Sequence, residues 1–294
     1  MQLVDLKPMH CQQLITKMEH GVGHYGRPYS AGTVELAYNT MRVLFNSAED
    51  FELISRMPAR RILVDKTREN QSEDEKFLTL EEHRKFLESA KKSRSFPQFR
   101  FVLETGIRPG ELIGLTFDDV DWTNKTLAIR KSVEFRNGSW QAGPPKTKTS
   151  YRTIPLTEAA LAILKDAKES KQKMHISPKA VQVLFYKDLK MGRQNSVKLA
   201  DLVFISKQTG MPTRNNAYDS CLKYICRRAG IKEISMHDLR HTYATCCLER
   251  GMPYKSLQKL LGHSSLKVTM DTYVHVTEES LRDAVDIFEA NAQI

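Results

Sequence analysis

No apolar run in this 294-residue sequence approaches the roughly 18 residues that a membrane-spanning helix needs. The opening residues, Met1-Gln2-Leu3-Val4-Asp5, lack the basic-then-apolar order of a secretory leader. Cysteine is sparse: Cys11, Cys221, Cys226, Cys246 and Cys247 are an odd count with no C-x-x-C spacing. That argues against a disulfide framework and against a cysteine-based zinc site. Reduced, mostly buried thiols in a cytosolic protein are expected. There is no internal repeat and no low-complexity tract. Hydrophobic residues make up 40% and charged residues 27%, which excludes a disordered polyelectrolyte.

Acidic residues are in deficit. Lys and Arg number 45 against 35 Asp and Glu, a formal charge of +10. A polyanionic partner is favoured, nucleic acid ahead of an acidic membrane surface. The basic positions are dispersed: Arg60-Arg61, Lys91-Lys92, Lys146 and Lys148, Arg152, Lys171 and Lys173, Lys187, Lys190 and Arg193, and Arg227-Arg228. A membrane-surface helix would gather them on one amphipathic segment. Dispersal fits a chain that follows a long phosphate backbone.

The length suits about two domains. Residues 8–57 read as helical, with Pro8 opening one helix over 9–19, a glycine-rich loop over 21–26, and Ser30 capping a longer helix. Val34, Ala37, Tyr38, Met41, Leu44, Phe45 and Ala48 fall on one predicted buried face. Residues 65–76 are almost wholly polar and read as a linker. Thr79 and Glu82 form a capping box that starts the next domain. Residues 126–135 have strand composition and run to Asn137-Gly138, a hairpin-turn signal. Strands are also expected over 151–156 and 201–206, and helices from 213 onward.

Five segments carry chemistry: 105–112, 145–148, 237–242, 261–263 and 271–275. Gly106 can end one helix and Pro109 start the next. Arg108 then sits at a helix N-terminus, where it can grip an anion; its alternative is an ion pair with Glu111 one turn on. His237 and Arg240 share the first turn of a helix that Ser235 can cap. His237 and His241 also stand at the i, i+4 spacing of metal ligands, but Asp238 follows the first histidine where a hydrolytic zinc helix has Glu. His263 follows Gly262, a helix terminator, and Tyr273 lies ten residues on. Taken together, two arginines, a lysine, two histidines and a tyrosine suit the stabilisation of the negative charge in a phosphoryl-transfer transition state. Tyrosine would be the nucleophile and Lys146 the general acid.

In order and spacing these residues resemble the tyrosine recombinases of the phage and transposon integrase type. That family's pattern of Arg, Lys, His-x-x-Arg, His or Trp, and Tyr is matched by Arg108, Lys146, His237, Arg240, His263 and Tyr273. The neighbouring words match too: Thr-Gly-x-Arg-x-Gly-Glu-Leu at 105–112, Leu-Arg-His-Thr at 239–242, Leu-Gly-His at 261–263 and Thr-Tyr-x-His at 272–275.

The resemblance implies a mainly α fold with a small antiparallel β-sheet. A helical core-type DNA-binding domain would occupy 1–64, a linker 65–76, and an α+β catalytic domain with a tail helix 77–294. It implies that Arg108 and Arg240 hold the scissile phosphate and that His237 and His263 assist. Tyr273 attacks to give a 3′-phosphotyrosine, Lys146 protonates the leaving 5′-oxygen, and Glu111 orients the arginine site. Lys148 is the alternative lysine.

No metal, ATP or other cofactor is implied. The implied partners are double-stranded DNA attachment sites, three further copies in a tetramer on DNA, an excisionase and a host DNA-bending protein. The implied location is the cytoplasm, on the nucleoid, with no membrane contact. Two other readings share parts of the pattern: a type IB topoisomerase, and a DNA-binding regulator with an inactive site. Phe117 stands where the family often has Trp. The chain opens directly on the core-binding helices, where many relatives carry a further arm-binding domain. A tail helix from Thr277, apolar at Leu281, Ala284, Val285, Ile287 and Phe288, is expected to dock on a neighbouring protomer when DNA is bound.

Overall fold

The computed structural model describes residues 2–21, 26, 28–65, 77–145 and 147–263, with residue 148 described in its backbone only. The chain divides into two compact units, Met1–Asp74 and Glu75–Ile294. The polar stretch from residue 66 and the predicted tail helix lie outside the described residues.

The first unit holds two helices, α1 (Pro8–His20) and α2 (Ala31–Asp50). Proline at the first position suits α1, because its missing N–H would be unpaired there anyway. The Ser30 hydroxyl caps α2 by accepting from Thr33 N at 3.3 Å. Cys11, Ile15, Val34, Phe45, Ala48, Ile54, Met57, Ala59 and Ile62 form the core. The segment after α2 is laced to α1: Gln12 exchanges two hydrogen bonds with the backbone of Leu63, and buried Glu19 accepts from Asp65 N.

Two expectations fail in this unit. Helix does not persist to residue 57, because α2 ends at Asp50 and the chain turns through positive φ at Glu52. Leu44 is 57% exposed rather than buried, along with Leu36 and Val43. The buried stripe of α2 is narrower than its apolar pattern, since α1 and the 54–62 segment cover only the Val34–Phe45–Ala48 side.

In the second unit, α3 (Leu80–Ala90) starts at the expected capping box, where Thr79 N donates to the Glu82 carboxylate at 2.9 Å. Helix α4 (Phe96–Thr105) is the central element and buries Phe99, Phe101 and Val102. Short α5 (Pro109–Ile113) follows it. Strands β1 (Val120–Asp121), β2 (Thr126–Ile129) and β5 (Arg152–Pro155) form an antiparallel sheet in the order β1-β2-β5. Between β2 and β5 stands a hairpin of β3 (Ser132–Arg136) and β4 (Ser139–Gly143). It turns at Asn137-Gly138 with positive φ at both, as that dipeptide favours. The expected strand over 126–135 is therefore two strands in two different sheets.

Residues 158–198, where the sequence predicts no element, form α6 (Glu158–Gln172) and a second hairpin, β6 (Val183–Lys187) with β7 (Gln194–Lys198). The strand expected over 201–206 is absent. Its apolar residues 202–205 are all buried but make only isolated bridges, Thr116 to Leu202 and Ile205 to Pro212. Strand-like composition here reflects burial on all sides without a neighbouring ladder. Helices α7 (Asn215–Ala229), α8 (Met236–Glu249) and α9 (Tyr254–Leu261) complete the described fold. Phe86, Phe99 and Tyr218 tie α3, α4 and α7 together, the Phe99 and Tyr218 rings meeting edge to face at 6.0 Å. The fold is mainly helical with small antiparallel sheets.

Candidate active site

The site begins where α4 stops. Gly106 takes the left-handed conformation, φ 62°, and ends the helix. A Cβ there would also run into the ring of Tyr243, so both backbone and space demand glycine. Two residues later Arg108 caps α5. Its backbone N–H donates to Glu111 Oε2 at 2.9 Å and its Nη1 to Glu111 Oε1 at 3.0 Å. The two readings open for Arg108, helix-end anion grip and ion pair with Glu111, are thus compatible. The guanidinium is paired with Glu111, yet the side chain keeps 27% of its surface exposed.

Arg240 arrives on α8. Ser235 caps this helix, with Asp238 accepting from Ser235 N at 2.7 Å. Arg240 is buried, donating to Gly106 O at 2.7 Å and to Leu261 O at 2.6 Å. Helix α9 ends at Gly262, again left-handed at φ 65°, and this delivers His263 beside Arg240. The His263 backbone is held both ways by Gln258, through bonds of 3.2 and 3.3 Å. Arg240 Nη2 lies 3.0 Å from His263 Nε2. A guanidinium only donates, so Nε2 accepts and the ring proton sits on Nδ1.

A third arginine completes the arrangement. Arg152, at the start of β5, is not a surface cation following a phosphate backbone, as its place among the dispersed basic clusters implies. Its side chain is 5% exposed. It grips Glu111 with two parallel bonds of 3.0 and 2.8 Å and donates Nε to Leu260 O at 2.6 Å. Three guanidiniums therefore address three successive carbonyls at the end of α9: Arg152 at Leu260, Arg240 at Leu261, and Arg108 at Gly262, the last a long contact of 3.5 Å. The negative end of a helix dipole is a suitable anchor for cations. Strand alternation carries the signal for Arg152. It shares a face with Ile154, which is buried, so an inward arginine there needs a carboxylate partner.

Glu111 is the counter-ion of the cluster. Burial opposes its ionised form, but the hydrogen bonds and charge of Arg152, with Arg108 and Arg240 behind, hold its carboxyl at about 2. His263 is pushed down to about 4, first by burial and then by Arg240, Arg108 and Arg152, so it is neutral at pH 7. His237 is exposed in the first turn of α8, and its imidazole too is shifted down, by desolvation and the Arg240 charge. Among the described residues, no three His, Cys, Asp or Glu side chains group to hold a metal ion, and His237 and His241 have no third ligand there.

The sequence-predicted residues Arg108, Glu111, Arg240 and His263 come together from three separate stretches of chain, with His237 near them. Tyr273 and Lys146 lie outside the described residues. Lys148 opens a short turn, Lys148–Ser150, of which the lysine side chain is not described. That turn lies against the end of α9, since Ser150 Oγ donates to Gly262 O at 3.5 Å. The five cysteines are all free, but only Cys11 and Cys226 are buried; Cys221, Cys246 and Cys247 are half-buried.

The family model described as the phage integrase family matches residues 76–280, more than half of the chain. The tyrosine recombinase XerC-like protein of Caldanaerobacter subterraneus subsp. tengcongensis is 28% identical over 298 residues, covering 97% of this chain and 71% of that protein. The ICEBs1 integrase of Bacillus subtilis is 25% identical over 248 residues, covering 83% of this chain and 61% of that protein. In fold, the chain is similar to the Tn1549 transposon integrase in complex with a circular intermediate DNA, with a TM-score of 0.76 at 21% identity, covering 97% of this chain and 86% of the other.

Proposed function

Because the chain belongs to the phage integrase family, we propose that it performs site-specific DNA recombination of the tyrosine-recombinase type. The observation that carries this reading is the convergence of Arg108, Arg240 and His263 on the end of α9. A scissile phosphate diester carries one negative charge, which grows as a fifth oxygen approaches. Three guanidiniums against one buried carboxylate leave the pocket positive, and the guanidiniums are held before substrate arrives, so little reorganisation is needed.

Tyr273 attacks the phosphorus; its phenolic proton passes to water, the P–O5′ bond breaks, and a 3′-phosphotyrosine forms. Lys146, or Lys148 in its place, gives a proton to the departing 5′-oxygen. His263, neutral with its proton on Nδ1, and His237 serve as hydrogen-bonding groups at the phosphate. A 5′-hydroxyl from a partner strand then displaces the tyrosine. The phosphodiester energy is kept in the protein linkage, so the exchange runs without ATP or an obligatory metal. The partners of this reading are duplex attachment sites, a tetramer on DNA, an excisionase and a host bending protein. Residues 1–64 act as the core-type DNA-binding domain, joined through 65–76 to the catalytic domain over 77–294. Docking of the tail after Thr277 on a neighbouring protomer belongs to the same reading.

The test is a suicide DNA substrate carrying sequence that flanks the gene. A covalent protein–DNA adduct that disappears in Tyr273→Phe is expected. No adduct on any flanking site would overturn the enzyme reading and leave a DNA-binding regulator. An adduct with plasmid relaxation but no strand exchange would point to a topoisomerase.

A further inference from the structure

The Glu111 carboxylate has about four lone-pair sites, and four donors occupy them. Arg108 supplies two, its backbone N–H on Oε2 and Nη1 on Oε1; Arg152 supplies the other two, Nη2 on Oε2 and Nη1 on Oε1. Arg152 holds two parallel bonds to the carboxylate, and Arg108 is left with a single side-chain bond to it. Arg152 is itself fixed at both ends, by Leu260 O and by Ser150 O at 3.1 Å. We infer that Arg152 is a positioning residue that saturates Glu111 and so keeps the Arg108 guanidinium available to a phosphate.

The physical reason is competition for one buried anion. Without Arg152, Glu111 remains ionised beside Arg108 and has two empty sites. The strongest available pair is then a bidentate Arg108–Glu111 bridge, which turns the guanidinium edge away from solvent and substrate. Arg152 also ties β5, and with it the 148–150 turn, to the last turn of α9 that presents His263. The inference rests on the strand-cleavage reading above for its consequence, though not for its geometry.

The experiment compares wild type, Arg152→Met, Arg152→Lys and the double variant Arg152→Met/Glu111→Gln in the full chain. Single-turnover cleavage of the suicide substrate is measured together with DNA affinity and Tm. A displaced phosphate-holding group costs about 100-fold in rate. Arg152→Met is expected to lose that factor in cleavage with DNA affinity nearly unchanged. Arg152→Lys, which restores charge without the fork, is expected to fall between. The double variant is expected to regain about tenfold, because a neutral amide in place of the Glu111 carboxylate no longer captures Arg108; a purely structural role would make the double variant worse.

In parallel, NMR of the Arg108 side-chain N–H groups should show slower solvent exchange in Arg152→Met and a return to wild-type exchange in the double variant. Arg152→Met cleaving within threefold of wild type, or a double variant no faster than Arg152→Met, overturns the inference. If wild type forms no adduct, the functional reading fails by itself. The NMR comparison then decides the inference, and unchanged Arg108 exchange overturns it.

Discussion

The two units differ in how much charge they enclose: the first buries a single carboxylate, Glu19, among the described residues, and the second a cluster of charges. The second buries charged groups, Glu111, Arg240 and the Arg152 side chain, inside a well-filled core, and bonds each of them to partners within the same unit. The first has a small apolar core and leaves large apolar side chains outside, Leu36, Val43 and Leu44 on one helix alone. Apolar periodicity therefore means different things in the two. In the second unit, helices on several sides turn pattern into burial. In the first, the described elements cover only part of the patterned face. A buried charge, by contrast, is stable only when its whole partner set is present, so the site depends on the second unit being intact.

The comparison breaks first at Arg240. On the proposed reading Arg240→Ala removes a transition-state donor, and it leaves the carbonyls of Gly106 and Leu261 without this partner. Single-turnover cleavage should fall about 10³-fold. Loss of less than tenfold would mean that the buried arginine serves packing alone.

Neighbouring residues of α2 sharpen the contrast within the first unit. Phe45→Ala should destabilise it by about 3 kcal/mol in urea melts. Leu44→Ala, one residue earlier, should change stability by less than about 0.5 kcal/mol. Equal effects would mean that something covers Leu44 in solution.

A smaller effect is expected at the helix end that feeds the site. Gly106→Ala forces a left-handed alanine against Tyr243, costing about 1–2 kcal/mol from the backbone alone. Thermal melts should register it, and a parallel Gly138→Ala, where a Cβ meets no neighbour, supplies the backbone-only reference.

The last effect is absent at neutral pH and develops as a pH slope. The His263 imidazole titrates at about 4 when folded against 6.5 when unfolded. Between those values the unfolded chain binds a proton that the folded one refuses, so stability contributed by this group falls as pH drops from 6.5 towards 4. Tm of the second unit should decline through that window, and His263→Gln should flatten the decline. An unchanged slope would mean that burial and the neighbouring guanidiniums do not hold this imidazole down.

Much of this is legible in the sequence, and residue by residue the reason differs. The Ser30, Thr79 and Ser235 caps and the Asn137-Gly138 turn are local hydrogen-bond and dihedral devices, so a few neighbouring residues suffice to specify them. Arg108, Arg240 and His263 are legible from their order and wording. Arg152 reads as a surface cation because its carboxylate lies 41 residues away along the chain. The hairpin of β6 and β7 is hidden because β6 turns apolar Val183 and Phe185 outward beside buried Leu184, and β7 buries only Val197, so neither strand shows a clean alternation.

Local chemistry alone thus settles where most helices begin, where hairpin turns fall and which kinds of residue make up the candidate site. Tertiary packing decides what no window of neighbouring residues contains: which apolar residues find a cover, and which of several arginines meets Glu111. A side chain's burial and a carboxylate's choice of partner are set by groups brought close in space, and those groups come from α5, β5, α8 and α9, more than 150 residues apart at the extremes.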